Sequence, residues 1–128
     1  MATILVIDDE ETIRSLLDTV LTGAGHTVLV ASDGAAGLAL CRRSQADLII
    51  TDIVMPDIDG LELITQIRQE RPAATIVAMS GGGLVSPHDY LQLARTLGAA
   101  AALAKPFSRR ELMETINPLL GDQSTPPQ

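Results

Sequence analysis

The sequence predicts an α/β fold, a five-stranded parallel sheet with helices packed on both faces. Three observations carry that prediction. Short apolar runs without polar alternation recur five times along the 128 residues, as expected for strands buried on both faces. Segments with apolar residues at helical spacing separate consecutive runs. Glycines and capping residues stand at the junctions. Strand and helix alternating in this way imply parallel strands joined by right-handed crossovers.

The first run is Ile4-Leu5-Val6-Ile7, and the stripe Ile13, Leu16, Leu17, Val20, Leu21 after it predicts a helix stopped by Gly23-Ala24-Gly25. Val28-Leu29-Val30 is the second run. The helical pattern from Asp33 to Arg43 is weaker because Ala and Gly dilute it, and Ser32-Asp33 reads as a turn and helix cap. Leu48-Ile49-Ile50 is the third run, followed by a stripe of Leu61, Ile64 and Ile67. Ile76-Val77-Ala78-Met79 is the fourth; Ser86 and Pro87 then open a helix with Tyr90, Ala94 and Leu97 on one face, stopped at Gly98. The fifth run, Ala101-Ala102-Leu103-Ala104, is an alanine series that by propensity prefers helix. Gly98 before it and Pro106 after it favour a strand instead. Ser108 and Glu111 have capping-box spacing ahead of Leu112, Ile116, Leu119 and Leu120. Pro118 is expected to end or bend that last helix about one turn early. Residues 121–128, with two prolines and no apolar side chain, are expected to form a disordered tail. One domain over residues 1–120 is the expected organisation.

Composition narrows the function. The chain is 46% hydrophobic and carries a net charge of −7. Phosphate-backbone binding rests on clustered Lys and Arg, so the acidic balance argues against a nucleic-acid binder. With only Tyr90 and Phe107 as aromatics, no stacking platform for bases exists. Cys41 is the single cysteine, so no internal disulfide is expected. No basic-then-apolar leader is visible, and no apolar run nears the roughly 18 residues that span a bilayer. A cytoplasmic protein is the expectation.

In a sheet of this kind ligands bind outside the carboxyl ends of the strands. There the sequence places Asp8-Asp9-Glu10-Glu11, Asp52, Ser80 and Lys105-Pro106 after the first, third, fourth and fifth strands. One acid at a helix start has a structural use, because it meets free N–H groups and the positive end of the dipole. Two consecutive acids facing Asp52 are harder to explain that way. Like charges about 4 Å apart repel by about 4 kcal/mol at an effective dielectric near 20. A hard divalent cation removes the conflict, and Mg²⁺ takes one or two carboxylates together with waters and phosphate oxygens. A carboxylate held beside such an ion can act as a nucleophile toward phosphorus. Lys105 at a strand end becomes a fixed positive charge for phosphoryl oxygens. Gly81-Gly82-Gly83 reads more simply as a mobile loop. His26 and His88 sit in turns with no second ligand nearby in sequence, and solvent-exposed roles are expected for both; Cys41 reads as a small core or boundary residue.

Four motifs now stand in order: Ile4-Leu5-Val6-Ile7-Asp8-Asp9-Glu10, Thr51-Asp52-Ile53-Val54-Met55-Pro56-Asp57-Ile58-Asp59-Gly60, Met79-Ser80-Gly81, and Lys105-Pro106-Phe107. Each is weak alone. Together, at four strand ends, they resemble the receiver domain of two-component response regulators, single-domain chemotaxis regulators among them. The resemblance covers Thr3 to Leu120. It implies a flavodoxin-like sheet with strand order 2-1-3-4-5 and a phosphorelay role. In that role Asp52 is the phospho-acceptor, served by a histidine kinase or histidine phosphotransfer protein. It implies that Asp9 binds Mg²⁺ directly and Asp8 largely through water. Asp52 and the backbone carbonyl of Val54 complete the protein ligands, Ser80 hydrogen-bonds the phosphoryl group, and Lys105 pairs with it. Such a domain is an acceptor and switch, its own chemistry confined to self-phosphorylation from small donors and slow self-dephosphorylation. With no output domain after Leu120, signalling is expected through contact with a downstream protein, by a monomer or weak dimer.

The chain departs from the family's pattern in three places. Ala102 stands where the family usually carries Tyr or Phe, so an aromatic rotamer switch cannot operate there. The stretch from Ser80 to Leu97 is a few residues longer than usual, and the glycines with Leu84-Val85 are expected to form a mobile loop that takes part of the switching role. Val54 is apolar where many relatives are polar, which implies a poorly oriented hydrolytic water and a longer-lived phosphorylated state. Other readings fit less well. A metal-dependent aspartyl-phosphate phosphatase needs an acid at the position of Val54. A nucleotide or flavin module needs backbone or hydroxyl donors where Asp8-Asp9-Glu10-Glu11 stands. A receiver-fold binding module regulated without phosphorylation remains the alternative that Ala102 and the altered loop leave open.

Overall fold

The computed structural model describes residues 2–81 and 87–120. Ten elements alternate along the chain: β1 (Thr3–Ile7), α1 (Glu11–Gly23), β2 (Thr27–Ala31), α2 (Gly34–Arg43), β3 (Leu48–Asp52), α3 (Gly60–Glu70), β4 (Thr75–Ser80), α4 (Pro87–Leu97), β5 (Ala101–Ala104) and α5 (Arg109–Leu120). The five strands form one sheet in the order β2-β1-β3-β4-β5, and every pairing is parallel. This is the predicted order, with its switch point at β1 and β3, where chain progression reverses direction across the sheet.

Strand side chains alternate between two cores. Ile4, Val6, Leu48, Ile50, Val77 and Met79 pack with Leu17 and Leu21 of α1 and with Leu112, Ile116 and Leu120 of α5. Leu5, Ile7, Ile49, Ile76 and Ala78 face the other way, onto Leu38 and Cys41 of α2, Leu63, Ile64 and Ile67 of α3, and Ala94 of α4. Burial on both faces is why these strands read as unbroken apolar runs. Cys41 is buried, as expected for a small core residue.

The alanine series does form a strand. Ala101–Ala104 pairs with Val77–Ser80 of β4, so sheet pairing overrides the helix propensity of alanine. Gly25 and Gly98 end their helices at φ +98° and +127°, a region that side-chain-bearing residues rarely adopt. The capping box at α5 is closed in both directions: Glu111 N–H donates to Ser108 Oγ at 3.0 Å, and Ser108 N–H to Glu111 Oε1 at 2.9 Å.

Two expectations are corrected. Pro118 does not end the last helix early, because α5 continues through it to Leu120. Leu120 is buried and Leu119 packs against the same cluster, so tertiary packing holds the final turn. His26 is half-buried rather than solvent-exposed; its Nδ1 accepts the Ala2 N–H at 3.2 Å and ties the start of β1 to the turn after α1. Gly82, Gly83, Leu84, Val85 and Ser86, and the tail at 121–128, lie outside the described residues, as does the His88 side chain.

Candidate functional site

The carboxyl ends of β1, β3, β4 and β5 meet at one edge of the sheet, and the chemistry-bearing side chains collect there. β1 ends at Ile7, so Asp8 leaves the sheet while still fully buried; its amide donates to the Ala31 carbonyl of β2 at 3.1 Å. Asp52 is the last residue of β3 and is buried. Ser80 is the last residue of β4, also buried. Lys105 follows β5, and its N–H donates to the Ser80 carbonyl at 2.8 Å, which extends the ladder by one residue and aims the side chain across the sheet edge.

Lys105 joins the carboxylates. Its Nζ lies 2.8 Å from Asp8 Oδ2, 3.1 Å from Glu10 Oε1 and 3.3 Å from Asp52 Oδ2. The Lys105 side chain is only 10% exposed, and the Glu10 side chain, 60% exposed, closes the cluster toward solvent. A buried charge is tolerated only when paired and hydrogen-bonded, and one ammonium here serves two buried carboxylates. Burial alone would lower the Lys105 pKa; the hydrogen bond to Asp8 and the charges of Asp52 and Asp8 outweigh it and push it up to about 12.

Burial pushes the Asp52 carboxyl above its ordinary range, and the Asp8 carboxylate adds to that. The Val54 N–H, which donates to Asp52 Oδ1 at 3.1 Å, and the Lys105 ammonium pull in the opposite direction without cancelling the rise. Opposed effects of this kind leave a carboxylate whose charge is held by a few specific partners.

The sequence-predicted residues are thus brought together, with one difference of emphasis. Oxygens of Asp8, Glu10 and Asp52 lie within 4.8 Å of one another. Asp9 is exposed and lines the adjoining cleft of about 460 Å³, beside Glu10, Asp52, Val54, Gly81 and Lys105. Three carboxylates with Asp9 at the mouth offer hard oxygen donors of the sort Mg²⁺ accepts, so the residues fit that ion. Ser80 Oγ is buried and finds no partner among the described residues. A buried hydroxyl left unsatisfied is costly, and this one lies at the end of β4 beside Asp52 of β3, whose register partner is Met79.

Two supporting residues were not singled out from sequence. Glu10 occupies the N-cap position of α1 yet makes no side-chain capping bond; its carboxylate goes to Lys105 instead. Arg14, one turn into α1, donates from Nη1 to the Asp8 carbonyl at 2.8 Å and fixes the acidic turn. Glu10 was visible as the third acid of its run, but nothing in the spacing tells a cap from a partner for Lys105. The structural use of acids at helix starts is also real, since Asp8 Oδ1 accepts the Glu10 N–H at 2.8 Å. The loop after β3 leaves Val54 outward, 45% exposed. Gly60 permits that loop to close: a Cβ there would stand 2.1 Å from Ile53 Cα. Ala102, half-buried on β5, pairs in register with Ala78.

Compared with known proteins, residues 4–117 match the response regulator receiver domain. The chain is 38% identical over 126 residues to the DNA-binding transcriptional regulator NtrC of Azospirillum brasilense, covering 98% of this chain and 25% of that protein. It is 36% identical over 117 residues to the alkaline phosphatase synthesis transcriptional regulatory protein PhoP of Bacillus subtilis, covering 91% and 48% respectively. The crystal structure of a response regulator receiver domain protein from Clostridium thermocellum superposes with a TM-score of 0.87 at 32% identity, over 96% of this chain and 97% of that one. The chain spans between a quarter and a half of the length of these two curated regulators. Among the described residues, no helix is long and apolar enough to cross a membrane.

Proposed function

Because the chain belongs to the response regulator receiver domain family, we propose that it accepts a phosphoryl group on Asp52 in a two-component phosphorelay. The donor is the phosphohistidine of a histidine kinase or histidine phosphotransfer protein in the cytoplasm. An Asp52 carboxylate oxygen attacks phosphorus, the P–N bond to the donor imidazole breaks, and the imidazole nitrogen leaves with the electron pair and takes a proton. The product on this chain is an acyl phosphate, and the chain acts as acceptor and switch.

The observation that carries this reading is the convergence of Lys105 with Asp8 and Asp52, residues 97 and 53 positions away in sequence, at one strand-end cluster. Lys105 and the Val54 N–H favour the ionised, nucleophilic form of Asp52 against the effect of burial. Asp8, Asp9 and Asp52, with the Val54 carbonyl, are the residues that would hold Mg²⁺, and Glu10 stands beside them. When bound, that ion supplies the positive charge that lets an anionic phosphoryl group approach a carboxylate. The Lys105 ammonium is placed to pair with the transferred phosphoryl oxygens once its carboxylate partners are engaged otherwise. The unpaired Ser80 hydroxyl is a donor for the same group.

Phosphorylation adds about −1.5 to −2 charges at this edge. Ser80 and Lys105, on β4 and just after β5, are the residues that feel it first. With Ala102 on β5, the response has to be carried by backbone and loop rearrangement around β4 and α4, and a downstream protein reads it by contact. Chemical trapping tests the assignment: after incubation with Mg²⁺ and acetyl phosphate, borohydride reduction of an aspartyl phosphate leaves homoserine. Peptide mapping should find homoserine at position 52; finding it elsewhere, or nowhere, overturns the reading.

A further inference from the structure

We infer that Asp57 is a positioning residue for this site, clamping the loop that carries Val54 onto the N-terminus of α2. The inference rests on the phosphoryl-acceptor reading for its consequence and on hydrogen-bond geometry for its substance. Asp57 lies in the β3–α3 loop, five residues after Asp52. Its Oδ1 accepts the Gly34 N–H and its Oδ2 the Ala35 N–H, both at 3.1 Å. These are the first two amides of α2, across 23 and 22 residues of sequence. The next two are satisfied locally, Ala36 N–H by Asp33 Oδ1 at 2.7 Å and Gly37 N–H by the Asp33 carbonyl at 3.0 Å. The Gly37 bond is the first of the helix itself, so the free donors of Gly34, Ala35 and Ala36 are all accounted for, two of the three by a residue from another loop.

The contact is built to be close. A Cβ on Gly34 would stand 1.8 Å from Ile58 Cγ2, so only glycine lets the loop lie against the helix end. α2 has no acidic residue within its first turn, and the Asp57 carboxylate from the β3–α3 loop joins that of the N-cap Asp33 at the positive end of the helix. Burial opposes ionisation of Asp57, but the Gly34 and Ala35 amides outweigh it and hold its carboxyl below the usual range.

The other hydrogen-bond restraints on the loop sit at its two ends. Gly60 N–H donates to the Ile53 carbonyl at 3.1 Å, and Asp59 caps α3 through Leu61 N–H at 2.8 Å. The first also fixes the Ile53 carbonyl just ahead of Val54, and Ile53 N–H donates to the Met79 carbonyl at 3.0 Å, so the loop is pinned at its two ends. Between Asp52 and Asp59, Val54 has one bond, its N–H to Asp52 Oδ1, and its carbonyl is the backbone oxygen the reading assigns to Mg²⁺. Without Asp57, the path of the chain beyond Val54 is held by that bond, by the Gly60 bond to the Ile53 carbonyl and by the burial of Met55. Groups that orient metal ligands typically change affinity 10–100-fold when removed, and the lower end of that range is expected for a restraint acting through three residues of backbone.

The test compares the whole ¹⁵N-labelled chain as wild type, Asp57→Ala, Asp57→Asn and Asp33→Ala, first without metal and then titrated with MgCl₂ and no phosphodonor. Asp57→Ala should shift the Val54 amide resonance in the metal-free protein and weaken Mg²⁺ binding about tenfold. Asp57→Asn, which keeps one acceptor oxygen, should fall between it and wild type. Asp33→Ala removes the other side-chain cap of the same helix, so it should lower the melting temperature while leaving the Val54 amide and Mg²⁺ affinity as in wild type. Wild-type behaviour of both Asp57 variants in both readouts overturns the inference, as does an equal loss of affinity in Asp33→Ala. A wild-type chain with no saturable response to Mg²⁺ contradicts the phosphoryl-acceptor reading instead; the metal-free Val54 shift then still decides whether the clamp exists.

Discussion

Lys105 Nζ donates to Asp8 Oδ2 at 2.8 Å, although 97 residues separate the two in sequence. Asp8 is fully buried, so this contact is its charge compensation, and the same ammonium reaches Asp52 at 3.3 Å. Two buried carboxylates sharing one cation is a poor arrangement for stability and a serviceable one for exchange. A phosphoryl group can recruit the cation, and a metal ion can take its place among the acids.

Removing Lys105 leaves that charge unbalanced. Lys105→Met should destabilise the metal-free protein by about 3 kcal/mol, the scale for losing one partner of a buried pair, and urea denaturation measures it. Added Mg²⁺ should restore part of the loss by binding the native state. The folded pKa of Lys105, about 12, lies above its ordinary 10.5. Its stabilisation is therefore complete below pH 10.5 and lost as pH rises through 12. Wild type and Lys105→Met should converge in stability over that window.

Asp52 has the opposite sign. Its folded pKa is raised above 3.8, so the folded state holds the proton more tightly than the unfolded one. Stability then falls as pH climbs from near 3.8 through the raised value, and at neutral pH the ionised carboxylate is a burden. Asp52→Asn, which keeps an acceptor for the Val54 N–H, should raise the melting temperature in metal-free buffer at pH 7 by on the order of 3 °C. The difference should shrink below pH 4. A lower melting temperature for Asp52→Asn at pH 7 contradicts this account of the site's electrostatics.

Ser80 separates function from stability in another way. Its buried Oγ has no partner among the described residues, so deleting it removes no hydrogen bond and relieves an unsatisfied group. Ser80→Ala should be as stable as wild type within about 1 kcal/mol, or more stable. Phosphorylation of Ser80→Ala by acetyl phosphate should be slower. A large loss of stability would mean that the hydroxyl is already committed to a structural bond.

Val54 projects into solvent beside the cleft. An apolar side chain there cannot orient a water toward an acyl phosphate. Val54→Asn should shorten the lifetime of the phosphorylated protein severalfold, read as loss of the phosphorylated mass over time after donor removal. An unchanged lifetime assigns the control of hydrolysis elsewhere.

Much of this arrangement was legible because buried parallel strands leave an unambiguous trace. Ile4–Ile7, Leu48–Ile50 and Ile76–Met79 can be strands only in a sheet covered on both faces, and Asp8, Asp52 and Ser80, one or two residues after these runs, then lie at the ligand-binding edge. Ala101–Ala104 was legible through Gly98 and Pro106 alone, since its own propensity points to helix and only pairing with β4 decides it. Pro118 misled for the converse reason: local rules end the helix, while burial of Leu120 carries it on. The partners of Asp8 and Asp57 were not legible, because those bonds span 97 and 23 residues and depend on loop paths that no local pattern encodes. Glu10 illustrates the same limit, an acid at a helix start whose partner lies 95 residues away.

Whether this acidic edge is a seat for a phosphoryl group on Asp52 is decided by intact mass. Wild type and Asp52→Ala are incubated with acetyl phosphate, each with Mg²⁺ and with EDTA. Wild type with Mg²⁺ should gain one phosphoryl group, and the other three samples none. Equal labelling of Asp52→Ala, or no labelling of wild type when Mg²⁺ is present, would contradict the assignment to Asp52.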